Sequence, residues 1–172
     1  MKKILFSLFA LMAVMTVQAQ SICATWRTMQ PVVETEEDGS LAIQSFTYTF
    51  NEDGTYYMVD ELTESTEPAP TMALEIAMSI EVRGSYTLEG DQLKLTPDVN
   101  TVKPEVLSVS MNGQVSDNPM VTNNVKSMIE SPMFKAQFAE PETVTVKVSD
   151  SMLEMNDGEQ TLTLTRFATI AN

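Results

Sequence analysis

The stretch FNEDGTYY at residues 50–57 gathers two carboxylates, an amide and a glycine, which is the composition of a calcium-binding loop. With Gly54 at the sixth position of a helix–loop–helix calcium loop, Thr49 stands where the first carboxylate is needed. Asp60 then stands where a bidentate Glu is needed. Both flanks alternate as strands do, whereas that loop requires helices. The sequence therefore predicts a β-hairpin turning at Asp53-Gly54, and no metal site.

The remaining inventory of reactive side chains is short. The chain has no histidine and one cysteine, which excludes Ser-His-Asp and Cys-His catalysis and the usual zinc sets. Six glycines and few basic residues leave no phosphate-binding loop. Paired carboxylates could hydrolyse glycosides, but most of the acids fall in predicted turns, where solvated charge is the simpler interpretation. We expect no catalytic residues, no metal and no cofactor.

The first residues indicate export. Lys2 and Lys3 precede an almost wholly apolar run over residues 4–17, and Val17-Gln18-Ala19 follows with small residues at the cleavage positions. This pattern is typical of a secretory signal peptide at residues 1–19. The run is shorter than the roughly 20 residues of a membrane span. We therefore expect a single domain over residues 20–172, located in the periplasm or outside the cell.

The single cysteine and the net charge limit how the protein could be anchored and what it could bind. Cys23 follows Ile22, which matches a lipoprotein signal poorly, so we do not expect anchoring at Cys23. Without Lys2 and Lys3, eight basic residues face 24 acidic ones, giving a net charge of −16. Such a field repels nucleic acid and anionic lipid surfaces.

Most of the chain alternates apolar and polar residues, the period of a half-buried strand. Over residues 42–50 one face holds Ala42, Phe46, Tyr48 and Phe50, with Gln44 as the exception. The clearest alternation covers residues 72–82 and keeps its parity past Gly84. About 17 residues at roughly 3.3 Å each exceed one straight strand of a small domain, so we expect a bend or bulge at Gly84. Further strands are predicted at 23–33, 55–62, 93–95, 106–111, 143–148 and 162–164, with a loop at 64–70.

One segment follows helical spacing instead. Asn118-Pro119 and Ser131-Pro132 each combine an N-cap residue with a favoured first helical residue, and Pro141 ends the segment. We predict a short helical insertion at about 118–140 in an all-β protein of eight or nine strands. The short sequential turns favour an antiparallel, up-and-down meander that closes into a barrel, because closure removes exposed edges.

Five motifs follow one another along the chain: ATW at 24–26, FNEDGTY at 50–56, GSYTL at 84–88, GDQLKL at 90–95 and LTLTR at 162–166. In this order the chain resembles the bacterial secreted lipocalin-like domain family, over roughly residues 22–167. The resemblance implies a small up-and-down β-barrel with an apolar cavity. Ala24 departs from the family's glycine, and the helical insertion is longer than its simplest members need.

These predictions favour an exported, non-enzymatic lipocalin-like protein that binds a small hydrophobic or amphipathic ligand in its barrel. That hypothesis places the even-numbered residues of 72–82 around the cavity. The alternative is an envelope or secreted interaction or structural module, with a filled barrel and an exposed apolar patch on the 118–140 helices. A carboxylate-based glycoside hydrolase is the least favoured alternative. The residues expected to line the barrel are Trp26, Phe46, Tyr48, Tyr56, Met58, Leu74, Ile76, Met78 and Ile80.

Overall fold

The computed structural model describes residues 22–35, 39–69 and 72–167, and the predicted signal peptide lies outside them. These residues form the predicted all-β protein with a helical insertion. The strands are β1 (Thr25–Thr28), β2 (Val32–Thr35), β3 (Leu41–Phe50), β4 (Thr55–Ala69), β5 (Met72–Glu89), β6 (Gln92–Pro97), β7 (Lys103–Met111), β8 (Gln114–Val115), β9 (Glu142–Val148), β10 (Met152–Asn156) and β11 (Thr161–Phe167). The helices are α1 (Pro119–Ile129) and α2 (Pro132–Ala136).

Eight of these strands close an antiparallel barrel, which confirms the predicted fold class. Going round the barrel, the order is β1-β3-β4-β5-β6-β9-β10-β11, and β11 pairs with β1 to complete the circle. Neighbours in the barrel follow each other along the chain except where β2 and the segment from β7 to α2 are inserted. The architecture is therefore an up-and-down barrel with additional strands at β2, β7 and β8.

The barrel carries a sheet extension because β3, β4 and β5 are longer than the barrel is tall. Residues 64–70, predicted as a loop, instead continue β4 to Ala69. Ser65 of β4 pairs with Leu41 of β3 on one side and with Glu75 of β5 on the other. Ladder partners on both sides hold Glu64 and Ser65 in strand form, and beyond Ser65 the segment pairs with β5 alone, with a register shift between Thr66 and Ala69. The first predicted strand, 23–33, is likewise divided into β1 and β2.

Gly84 marks the place where β5 passes from the extension into the barrel. On one edge, β5 pairs with β7 up to Glu81 and with β6 from Gly84 onwards. Its register with β4 is unbroken there, so the predicted bulge at Gly84 is absent. A Cβ at Gly84 would collide with the carbonyl oxygen of Thr96 and lie 2.7 Å from the Tyr56 ring. The glycine is needed because the chain of β6 approaches so closely.

Two apolar cores fill the structure. The first closes the end of the barrel that carries the β3–β4 turn, here called the lower end. Trp26 is fully buried there, and its indole N–H donates to the Ile22 carbonyl at 2.8 Å. The second lies in the extension, where the inward-facing residues of β5 pack under Val125 and Ile129 of α1.

The helical insertion begins as the sequence predicts. The Asn118 side chain accepts from the Met120 N–H, and the Ser131 hydroxyl accepts from the Phe134 N–H. Val125 and Ile129 are buried, whereas Met133 is 80% exposed. In the described part of the chain, neither helix has the length and apolar character needed to cross a membrane.

Candidate ligand-binding site at the mouth of the barrel

The acidic stretch at 50–57 is the predicted β3–β4 hairpin. Gly54 has a φ of 80°, which a glycine adopts without strain. Asp53 Oδ1 accepts from the backbone N–H of Thr55 at 2.9 Å and from its hydroxyl at 2.6 Å. These bonds favour the ionised form and lower the pKa of Asp53. The carboxylate is thus occupied in shaping the turn, and no group of three His, Cys, Asp or Glu residues in the described ranges could hold a metal.

A cavity lies at the opposite end of the barrel from this hairpin. Its volume is about 390 Å³, within the range of small-molecule sites. Seven of the eight barrel strands contribute to its wall, all but β1, together with β2 and the segment that follows α2. The cavity is therefore the open mouth of the barrel, roofed on one side by Gln137 and Phe138.

Apolar and aromatic side chains form the floor of this cavity. Tyr48, Tyr56, Val144, Leu95 and Met155 all line it and all belong to the buried barrel core. Alternate residues of β3 build an aromatic ladder down one wall, with the ring centroids of Phe46 and Tyr48 6.4 Å apart and those of Tyr48 and Phe50 5.8 Å apart. Such a floor can hold the apolar part of a ligand.

The rim is acidic. Glu34, Glu140, Glu142 and Asp157 line the cavity near its opening, and no lysine or arginine is among the described residues that line it. Burial, and then the nearby charge of Asp157, raise the pKa of Glu142. The cavity mouth therefore carries a concentrated negative potential.

Asp60 on β4 is the most unusual residue of the cavity wall. It is 3% exposed, and within the described ranges it is the only charged residue so deeply buried. Its Oδ2 accepts a long hydrogen bond of 3.4 Å from Gln44 Nε2. Its Oδ1 is buried and has no hydrogen-bond partner among the described residues. Burial raises the pKa of Asp60 to about 6, the bond from Gln44 opposes that rise, and the charge of Glu61 adds to it.

Burial and nearby negative charge also raise the pKa values of the two tyrosines in the cavity floor. Burial raises the pKa of Tyr56 to about 12, and the charge of Glu142 acts in the same direction. The pKa of the buried Tyr48 is raised for the same two reasons, with smaller contributions from Tyr56 and Asp60. Both phenols are neutral at physiological pH and can donate or accept a hydrogen bond.

The structure divides the nine residues predicted to line the barrel. Phe46, Tyr48, Tyr56 and Met58 lie on the cavity wall. Trp26 belongs to the solid lower core instead, where the Ile22 carbonyl accepts its N–H. The residues of the long strand lie away from the cavity, in the extension: Leu74, Ile76, Met78 and Ile80.

The expectation that alternate residues of 72–82 surround the cavity is therefore wrong, except at Val82. They do share one face of β5, as predicted. That face runs past the barrel, however, and α1 covers it, so most of these side chains pack in a core and do not surround a cavity.

Sequence reasoning missed the polar residues of the site, although the sequence carried a signal for them. Gln44 interrupts the apolar face of β3, and Asp60 interrupts the inward face of β4 that holds Tyr56 and Met58. The side-chain amide of Gln44 donates a hydrogen bond to the carboxylate of Asp60. A polar pair on the inward face of two neighbouring strands was the local mark of the cavity wall.

No protein-family profile matches the chain, and no curated protein shows significant similarity to it. Solved structures do match, among them the crystal structure of an uncharacterized protein from Bacteroides eggerthii DSM 20697 at 2.60 Å resolution. The two chains share 11% identity, and the match covers 85% of this chain and 99% of that chain with a TM-score of 0.41. A TM-score this low does not show a shared fold. The small barrel rests on the structure itself, and the lipocalin-like family stays a prediction from the motifs.

Proposed function

We propose that the protein is an exported, non-enzymatic binding protein that holds a small amphipathic molecule in the mouth of its barrel. The observation that carries this proposal is the cavity of about 390 Å³, with its aromatic floor and polar wall. An apolar pocket with few, convergent polar groups is the usual form of a small-molecule site. Export is supported by the basic and apolar residues at the start of the chain.

A paired substitution tests the proposal. Leu162 lines the cavity on β11, and its neighbour Thr163 is not part of the wall. Leu162→Trp should fill the cavity, whereas Thr163→Trp adds the same side chain to the other face of the strand. We expect calorimetric titration with octanol to give saturable binding to the parent and to Thr163→Trp, and at least tenfold weaker binding to Leu162→Trp. Absence of saturable binding to the parent would refute the proposal.

The interaction-module alternative is weakened at the barrel, because a filled barrel would leave no cavity. One observation still favours a protein partner: Met120, Met128 and Met133 on the two helices are 71%, 54% and 80% exposed. Replacing all three with serine should abolish capture of an envelope or secreted partner. Capture of the same partner by the serine variant would rule this candidate out.

The hydrolase alternative also gains one observation. Asp60 and Glu142, both with a raised pKa, line the same cavity, and a general acid requires such a raised value. A panel of aryl glycosides checks it. Turnover that Asp60→Asn or Glu142→Gln removes would support an enzyme, and no turnover above buffer would exclude this form.

A further inference from the structure

The chemistry of the cavity wall also points to the head group of the ligand, an inference that rests on the proposed function. We propose that the cavity selects a cationic amphiphile, a primary amine on a short apolar chain, and that the Asp60 carboxylate pairs with the ammonium group.

The first argument is the unsatisfied oxygen. Buried polar atoms in folded proteins are almost always hydrogen-bonded, so an unpartnered oxygen in a cavity wall is a position where a donor group of a ligand would be favourable. Of the buried side-chain N and O atoms in the described ranges, only Asp60 Oδ1 has none. Rotation about the terminal bond of an aspartate is soft, so either oxygen can turn to a group held in the cavity. An ammonium group has three donors and no acceptor, which suits a carboxylate with unused acceptor capacity.

The second argument is the sign of every charge that lines the cavity. Asp60 lies in the wall, and the rim adds Glu34, Glu140, Glu142 and Asp157, with no basic residue among the described lining residues. A carboxylate or phosphate head group would meet only like charges here. A cation is attracted to the mouth by the rim and finds a buried counter-charge within it.

The third argument is size and depth. At about 30 Å³ for each water-sized group, the cavity holds roughly a dozen such groups. Asp60 lies four residues along β4 from Tyr56 in the floor, which is about 13 Å of strand. An eight-carbon chain, its ammonium group and the hydrogen bond to the carboxylate together are about as long as this distance. Phe46 and Tyr48 add aromatic faces on the same wall, which also favour a cation.

Three probes of equal length test the head group: octylamine, octanol and octanoate, each titrated into the protein by calorimetry at pH 7.5. We expect octylamine to bind roughly 10- to 100-fold more tightly than octanol, the usual effect of a charge-assisted hydrogen bond. Octanoate should bind most weakly. In Asp60→Asn the preference for octylamine over octanol should fall to within about threefold.

The matched control is Asp150→Asn. Asp150 is exposed in the turn between β9 and β10, away from the cavity, and the substitution removes the same charge. We expect it to keep the amine preference. If octanol binds but octylamine binds no better, or if Asp60→Asn keeps the full preference, the head-group inference is overturned and the proposed function stands. If none of the three probes binds, the proposed function fails and the inference with it.

A second readout depends on protonation. The titratable groups around Asp60 are Glu34 on β2, Tyr48 on β3, Tyr56 and Glu61 on β4, and Glu140, Glu142 and Asp157 at the rim. As the pH falls from 7.5 to 5, Asp60 takes up its proton and the octylamine affinity should fall at least fivefold, with no change for octanol. Asp60→Asn should lose most of this dependence. An equal fall in the variant would assign it to the rim and contradict a role for Asp60.

Discussion

Replacing Asp60 with asparagine should make the protein more stable at neutral pH, although it removes a buried side-chain charge that lines the candidate site. The variant keeps the shape of the side chain and an oxygen that can accept from Gln44. It loses the charge that is 97% shielded from solvent and has an oxygen without a partner among the described residues. The amide is polar but uncharged, and burying it costs less than burying a carboxylate.

The magnitude follows from the raised pKa. The pKa of Asp60 rises from an ordinary value of 3.8 to about 6 in the fold. In the unfolded chain this group ionises first as the pH increases, so the folded state loses stability between about pH 4 and pH 6. At about 1.4 kcal/mol for each tenfold change in acid strength, the loss above pH 6 is roughly 3 kcal/mol. Below pH 4 the group is neutral in both states and the loss vanishes.

Urea unfolding at pH 7.5 and pH 3.5 measures this difference. Trp26 is the only tryptophan of the chain, and because it is fully buried its fluorescence reports the barrel. With an m-value of about 1–3 kcal/mol/M, the midpoint of Asp60→Asn should exceed that of the parent by roughly 1–3 M at pH 7.5. At pH 3.5 the unfolding free energies of the two proteins should agree to within about 0.5 kcal/mol.

Asp150→Asn again provides the control, since it removes a surface charge from the same strongly acidic protein. Any stabilisation that it shows measures relief of general repulsion and is subtracted. A variant at position 60 that is no more stable than this control at pH 7.5 would refute the reasoning. Equal gains at pH 3.5 and pH 7.5 would do the same, because they could not arise from the ionisation of Asp60.

Three further predictions concern the framework that holds the site. Gly84→Ala should lower the free energy of unfolding by several kcal/mol, as measured by urea unfolding, because the added Cβ collides with the Thr96 carbonyl. Trp26→Ala should lower it by about 3–5 kcal/mol, through loss of the largest fully buried side chain of the lower core, as followed by circular dichroism in urea. Asn118→Ala should lower it by only about 1 kcal/mol, the usual effect of losing an N-cap, whereas Asn118→Ser should leave it unchanged. A Gly84→Ala variant of parental stability, or an Asn118→Ala variant as damaged as Trp26→Ala, would contradict these assignments.

Alternation and helix-cap motifs correctly predicted strands and helix starts that are determined by residues close together in the sequence. The alternation over 42–50 became β3, and the two cap-plus-proline pairs became the starts of α1 and α2. Residues 64–70 were mistaken for a loop because their prolines and acids are poor strand formers in isolation. Pairing with β3 up to Ser65 and with β5 up to Ala69 holds residues 64–69 in β4, a tertiary effect that composition does not contain.

For the candidate site, too, the sequence predicted local features but not the contacts between distant segments. The alternation over 72–82 correctly placed those residues on one face, but nothing within β5 says that a helix 40 residues later covers that face. Conversely, Phe46, Tyr48, Tyr56 and Met58 were found because they belong to strand segments inside the barrel. A sequence pattern identifies a buried face more easily than it identifies what lies opposite.

The predicted instability and the proposed amine selectivity are two consequences of the same buried carboxylate. A ligand that binds only the folded state stabilises it by about 2.7 kcal/mol when present at 100 times its dissociation constant. This gain is close to the roughly 3 kcal/mol that the charge of Asp60 removes above pH 6. Octylamine at that excess should therefore bring the parent close to the stability of unliganded Asp60→Asn, while raising the variant itself much less at the same concentration. Octanol, which gains nothing from the charge, should stabilise the two proteins to a similar degree. Thermal unfolding with each probe thus separates a carboxylate that recognises a cation from one that merely destabilises the barrel.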